Sequence, residues 1–304
     1  MSDKPLEQDQ AGDLRRIVEK KRQVLRQKGR PKTLAILSGK GGVGKSNVAI
    51  ALACAFADKN KQVVLLDADL GMANLDILCG VSAKYNLSHL VEGSRTLHEI
   101  LLPIEKNILL LPGGVGLREM ADLDDDALSR IFETLSGLEQ LSDLLILDAG
   151  AGIHKGVRAF AQAADTTVLV TTPEPTSIRD AYGVIKSLGG AHSSQGGDLM
   201  LIVNMANNQR EAYDVAERIR MASMQFLGSA PIFLGYILKD NNIERAVRMR
   251  RIFYRLTPSS AAAACVRKIT DEIIRLWEGR PVKPEPKGLK AFFARLTRGL
   301  FREK

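Results

Sequence analysis

A glycine-rich octapeptide between an apolar run and a helical one decides much of what this chain can become. Gly39-Lys-Gly-Gly-Val-Gly-Lys45-Ser46 fits G-x-x-x-x-G-K-[ST]; it follows the apolar stretch Thr33–Leu37 and opens the helical stretch Lys45–Asp58. Phosphate binding needs backbone N–H groups wrapped around an anion, and glycines permit that path. The helix that follows adds the positive end of its dipole. Gly39, Gly41, Gly42, Val43 and Gly44, with Asn47 behind them, are the expected nucleotide contacts. Lys45 is placed to bridge β- and γ-phosphates, and the Ser46 hydroxyl to ligate Mg2+. Gly39, Gly41 and Gly44 also spell the dinucleotide pattern G-x-G-x-x-G, with Asp67 in the place of its ribose-binding acid. A dinucleotide site needs neither Lys45 nor Ser46, so the full pattern selects a nucleoside triphosphate.

The rest of the middle alternates short apolar runs with helical stretches. Further strands are expected at Val63–Asp67, Ile108–Leu111, Leu144–Asp148, Thr166–Thr171, Leu199–Asn204 and Ile232–Ile237. Helices are expected at Asp124–Leu141, Val157–Ala163, Ser177–Leu188, Gln209–Phe226 and Ser260–Trp277. Nearly continuous apolar strands are those buried on both faces. The alternation predicts an α/β fold with one mostly parallel sheet and helices on both faces. Ligands in such sheets bind beyond the carboxyl ends of the strands.

Carboxylates fall at those ends. Asp67 and Asp69 close the second strand, two residues apart and so on one side of an extended chain. Buried like charges that close disfavour joint ionisation unless a cation or a water network compensates, and Mg2+ with a nucleotide would supply that cation. Leu144-Leu-Ile-Leu-Asp148 is an apolar strand ending in Asp, in which Asp148 can hold Mg2+. Gly150 and Gly152 allow the next loop to approach a γ-phosphate.

Taken together these motifs resemble the MinD/ParA family of P-loop ATPases, whose deviant loop reads K-G-G-x-G-K-[ST], with Lys40 in the family's signature position. Asp67-Ala-Asp-Leu-Gly-Met-Ala-Asn-Leu-Asp76 and Asp148-Ala-Gly-Ala-Gly-Ile153 look like its two switch segments. The resemblance implies a P-loop fold, ATP hydrolysis, and ATP and Mg2+ as cofactors. It implies that Asp69 orients the attacking water, that Asn74 supports hydrolysis, and that Asp67 and Asp148 join Ser46 around the metal. It also implies an ATP-sandwiched homodimer in which Lys40 reaches the partner's phosphates. Asn204 matches the family's adenine-reading asparagine, and Leu234–Asp240 its adenine-side loop, ending at Asp240. Two positions depart from the family: Leu238 stands where Pro is usual, and Ala149 where Thr or Pro is common.

Charge separates the ends from the middle. The chain of 304 residues carries +8 overall, but residues 1–33 hold +5, residues 34–279 hold −3 and residues 280–304 hold +6. The surplus therefore argues for two basic appendages rather than a broadly nucleic-acid-binding body, and specific DNA binding is not expected. The expected layout is a basic arm at 1–32, an ATPase domain at 33–278, a Pro-rich linker at 279–288 and an amphipathic helix at 289–304. In that last piece Leu289, Phe292, Phe293, Leu296, Leu300 and Phe301 recur at helical steps, with Lys290, Arg298, Arg302 and Lys304 beside them. Such a helix is expected to lie on anionic lipid, singly weak and strengthened when a dimer presents two. Asp9-Gln-Ala-Gly-Asp-Leu-Arg15 looks like the D-Q-A-x-x-L-R motif of the FlhG/FleN branch, which controls flagellar number and placement. The resemblance implies that residues 9–15 dock on the signal-recognition-type GTPase FlhF and stimulate it. It further implies restraint of a σ54-dependent flagellar transcription activator. Thr172-Pro-Glu-Pro-Thr-Ser-Ile-Arg-Asp180 also resembles this branch, with Ser177 expected to cap the following helix.

Other classes fit less well. A ParA-type DNA-partitioning ATPase would use Arg245, Arg248, Arg250, Arg251 and Arg255 on phosphates, but has no use for the D-Q-A motif or the final helix. An iron–sulfur carrier needs paired cluster cysteines, and Cys54, Cys79 and Cys265 are far apart. Unpaired cysteines, no apolar leader and no run near the ~18 residues of a membrane span lead to an expected cytoplasmic chain, reversibly attached to the membrane's inner face.

Overall fold

The apolar runs become the strands of one eight-stranded sheet. The computed structural model of the protein describes residues 31–69, 73–113, 125–189, 197–279 and 288–301. The D-Q-A motif, the rest of the basic arm up to residue 30 and most of the linker lie outside them. In chain order the elements are β1 (Lys32–Ser38), α1 (Lys45–Asp58), β2 (Val63–Ala68), α2 (Leu75–Cys79), α3 (Leu87–Val91), α4 (Leu97–Ile100), β3 (Leu102–Glu105), β4 (Ile108–Leu111), α5 (Asp125–Ser136), β5 (Leu144–Ala151), α6 (Lys155–Ala163), β6 (Thr166–Thr171), α7 (Pro175–Ser187), β7 (Asp198–Ala206), α8 (Gln209–Leu227), β8 (Ile232–Leu238), α9 (Asn241–Arg248), α10 (Phe253–Leu256), α11 (Ala261–Glu278) and α12 (Leu289–Phe301). The strands lie in the order β3-β4-β2-β5-β1-β6-β7-β8, all parallel except β3.

Alternation along each strand divides the core. Leu34 and Ile36 of β1 point to the layer holding α1, α10 and α11; Ala35 and Leu37 point to the layer holding α5, α6, α7, α8 and α12. Both layers are built from buried apolar side chains, which is why β1, β2, β5 and β6 are buried almost throughout. β3 departs from the sequence expectation: it is a half-exposed antiparallel edge strand carrying Pro103, where a missing N–H costs nothing if it faces outward. Ser177 does not cap α7. Glu174 holds the cap position with Pro175 next, and the Ser177 hydroxyl instead bonds Thr171 Oγ1 (3.0 Å) and accepts from the Thr172 N–H (3.1 Å).

The final helix, expected on lipid, is docked on the protein in this structure. α12 forms, but its apolar face is turned inward: Leu289, Phe292, Phe293 and Leu296 are buried against α5 and α6. Phe293 stacks on Phe132 of α5 at 5.5 Å. Arg295 donates from Nη2 (2.6 Å) and Nε (2.9 Å) to the Ala163 carbonyl that ends α6, and Nη2 stands 3.4 Å from Asp165. Amphipathicity required a surface for this face, and the body of the protein provides it. Among the described residues no helix is long and apolar enough to cross a membrane.

Candidate nucleotide site

The carboxyl ends of β1, β2, β5 and β7 converge on the glycine loop. Gly44 caps α1 in the left-handed conformation, φ 82°, and Gly42 has the same φ, so the loop turns where side chains are disfavoured. A Cβ at Gly41 or Gly42 would meet nothing within 4 Å, whereas one at Gly39 would strike the α7 backbone, 2.4 Å from the Asp180 carbonyl carbon. The loop is therefore pinned at its start and open at its centre.

Parallel pairing of β2 with β5 sets Asp67 opposite Asp148. Asp67 Oδ2 accepts from the N–H groups of Asn74 (2.9 Å) and Leu75 (3.0 Å), so this carboxylate also holds the N-terminus of α2. Burial pushes its pKa up to about 6, with the charge of Asp148 adding to the rise and backbone donors opposing it. Asp148 is raised too, by burial first, against the attraction of Lys45. Lys45 Nζ donates to Asp148 Oδ1 at 2.6 Å, both groups being buried, and the Ser46 hydroxyl also acts on this carboxyl. Asp69 comes close to the second switch: a Cβ on Gly150 would lie 3.5 Å from Asp69 Oδ1. Gly152 donates its N–H to the Ser38 carbonyl (2.9 Å), tying the end of β5 to the start of the loop.

Asn204, near the end of β7, donates from Nδ2 to the Val43 carbonyl (2.8 Å). It borders a cleft lined by Gly44, Asn47, Met205, Leu238, Asp240 and Phe253 among others. Met205 beside it is left-handed, φ 58°, a strained backbone of the kind found at binding sites. Asp240 caps α9 by accepting from Asn242 N (2.9 Å) and Nδ2 (2.8 Å), so it shapes the cleft through the helix it starts. Leu238, in place of the usual Pro, lines the same cleft.

Lys40 has a partner that sequence reasoning missed. Its Nζ reaches Glu174 (2.5 Å) and Thr176 Oγ1 (3.0 Å) at the head of α7. The Thr172–Asp180 motif marked this segment, but only the fold brings it to the loop.

These residues fit ATP and Mg2+. Among the described residues, Asp148 Oδ2 and Asn204 Oδ1 are buried acceptors without a hydrogen-bond partner, an expensive arrangement unless a bound group supplies donors or positive charge. Mg2+ takes one or two carboxylates, which the facing pair Asp67 and Asp148 can supply, and completes its shell with phosphates and water.

Residues 34–250 match the CobQ/CobB/MinD/ParA nucleotide binding domain family. The chain is 33% identical to the antiactivator FleN of Pseudomonas aeruginosa over 260 residues, 86% of this chain and 91% of that protein. It is 35% identical to the flagellum site-determining protein YlxH of Helicobacter pylori over 275 residues, 90% of this chain and 92% of that protein. The chain belongs to the MinD/ParA family, in its FlhG/FleN branch. It is an ATPase, with ATP and Mg2+ as its cofactors. The cell division ATPase MinD of Pyrococcus furiosus superposes with a TM-score of 0.63 at 25% identity, over 81% of this chain and 99% of that one. The Pyrococcus horikoshii MinD solved with Mg-ADP superposes with 0.64 at 23% identity, over 81% and 97%, a likeness of fold.

Proposed function

We propose that this ATPase is a nucleotide-timed switch that regulates flagellar number and placement, by dimerising on ATP and exposing α12 to anionic lipid. The continuity from β5 through α6 to α12 carries the reading. β5 holds Asp148 and Gly150, α6 follows within a few residues, and α12 lies on α6 with Gly299 against Ala159. A displacement of the second switch by a γ-phosphate moves the surface on which α12 rests. Burying four large apolar side chains is worth roughly 6–12 kcal/mol against water, but lipid offers a comparable apolar surface. Exchanging one for the other is nearly neutral, so modest changes at α6 and at the Arg295 contacts select between them.

At the site, Lys45 leaves Asp148 to meet the β- and γ-phosphates, and Asp148, Asp67 and Ser46 are then the groups that hold the metal. Mg2+ supplies neutralisation of the charge that develops on the phosphates. Asp69 orients the attacking water and Asn74 supports it at the head of α2. Lys40 leaves Glu174 and reaches across the dimer. Asn204 Oδ1 accepts from the exocyclic amine of adenine, a donor that guanine lacks at that position, while Asn47, Leu238 and Asp240 bound the base. Residues 9–15 engage an FlhF-type GTPase, and the dimer restrains a σ54-dependent activator.

Multi-angle light scattering tests the switch. The Asp69→Ala variant is expected to form a stable dimer in Mg-ATP and a monomer in Mg-ADP, with hydrolysis abolished. A monomer in both nucleotides, or wild-type turnover in the variant, refutes it.

A further inference from the structure

The helix that borders the base cleft through Ile243 and Glu244 ends in a basic turn for which the proposed switch has no use. Arg245, Arg248, Arg250 and Arg251 are all exposed. Among the described residues Arg248 reaches Glu244 at 4.0 Å, and Arg245, Arg250 and Arg251 have no ion pair. Arg255, the fifth arginine of this stretch, is different: it is engaged structurally by Glu105 and Asp58, both at 2.7 Å.

The backbone at Arg250 is the informative feature. Arg250 N–H donates to the Val247 carbonyl and Arg251 N–H to the Ala246 carbonyl, a helix ending that calls for a left-handed residue, and Arg250 adopts φ 51°. Helices α2 and α8 end with glycine in that conformation, Gly80 and Gly228. A side chain there costs stability, and such strain persists where the side chain has work to do. Complementing the helix dipole does not explain it, because Arg245 and Arg248 already occupy the last turn. The turn is also held in place: a Cβ on Gly80 would lie 2.3 Å from the Arg250 carbonyl oxygen. It is thus seated on the end of α2, whose other end is bound by Asp67.

Apolar side chains accompany the arginines. Met249 is 46% exposed within the turn, and Ile77 is 51% exposed on α2. Forked guanidinium groups pair bidentately with carboxylates and phosphates alike, but an apolar centre contributes little on a phosphodiester backbone and much on a protein surface. We propose that this turn is a docking site for an acidic protein segment, its carboxylates on Arg245, Arg250 and Arg251 and an apolar side chain on Met249.

The test uses the full chain in Mg-ADP and a fluorescein-labelled Glu-Glu-Leu-Glu-Glu-Leu-Glu-Glu peptide. Controls are the Gln-for-Glu peptide and a duplex DNA of equal charge. The acidic peptide is expected to bind at least tenfold tighter than either control, and Arg245→Glu/Arg251→Glu to weaken it at least tenfold. Arg250→Gly is expected to raise Tm by about 2 °C, as the strain is relieved, while weakening the peptide three- to fivefold. Unchanged peptide affinity in Arg250→Gly, no preference over the Gln peptide, or tighter binding of DNA overturns the proposal.

Discussion

Asp67→Asn separates the cost of the buried acid from its use. Asp67 is 3% exposed, and burial raises its pKa from an ordinary 3.8 to about 6. A raised carboxyl favours its protonated form in the fold, so ionising it costs more there than in the unfolded chain. The penalty is absent below about pH 4, grows between pH 4 and 6, and is complete above that. Two units of difference correspond to about 3 kcal/mol. The asparagine removes this penalty but gives up one acceptor, leaving the Asp69 N–H without its 3.3 Å contact, for about 1 kcal/mol. The variant is therefore expected to be about 2 kcal/mol more stable at pH 7.5 without nucleotide, a Tm gain of about 4 °C. The gain should vanish toward pH 4.5. In Mg-ATP the metal role proposed for Asp67 predicts the reverse order, the wild type regaining the energy on binding. Thermal unfolding by circular dichroism at both pH values, with and without Mg-ATP, measures all of this. A variant less stable at pH 7.5, or a difference independent of pH, refutes the reasoning.

Other residues give sharper single readouts. Asn204→Ala should reduce the preference for ATP over GTP about tenfold, read from competition binding, while Lys45→Ala should abolish binding of both. Glu174→Ala frees an exposed lysine from a contact worth at most about 1 kcal/mol; the ATP concentration at half-maximal dimerisation should fall up to fivefold. Arg295→Ala loosens α12 from the Ala163 carbonyl, and hydrogen exchange across 289–301 should rise in the ADP state with α11 unchanged.

β1, β2, β5, β6 and β7 were legible because both faces are buried, which leaves nearly continuous apolar runs, and β1, β2 and β5 run into glycine or aspartate at their carboxyl ends. β3 was not, since a four-residue edge strand with Pro103 carries no such pattern. The glycine loop, Asp67 and Asp148 were legible because their chemistry is local. The Lys40–Glu174 contact joins residues 134 apart, and no spacing rule announces it. α12 shows the limit most clearly. Its heptad-like aromatics required a covering surface, but periodicity is blind to whether that surface is lipid or the protein's own α5 and α6. The arginines from 245 to 255 read as one cluster in sequence; the fold divides them, with Arg255 bound internally and the other four outside.

The central claim is that nucleotide state decides where α12 lies. Co-sedimentation of full-length Asp69→Ala protein with phosphatidylglycerol-containing vesicles tests it directly. Pelleting is expected in Mg-ATP, little in Mg-ADP, and none in either once residues 289–304 are removed. Equal pelleting in the two nucleotides, or pelleting that survives the truncation, would contradict it.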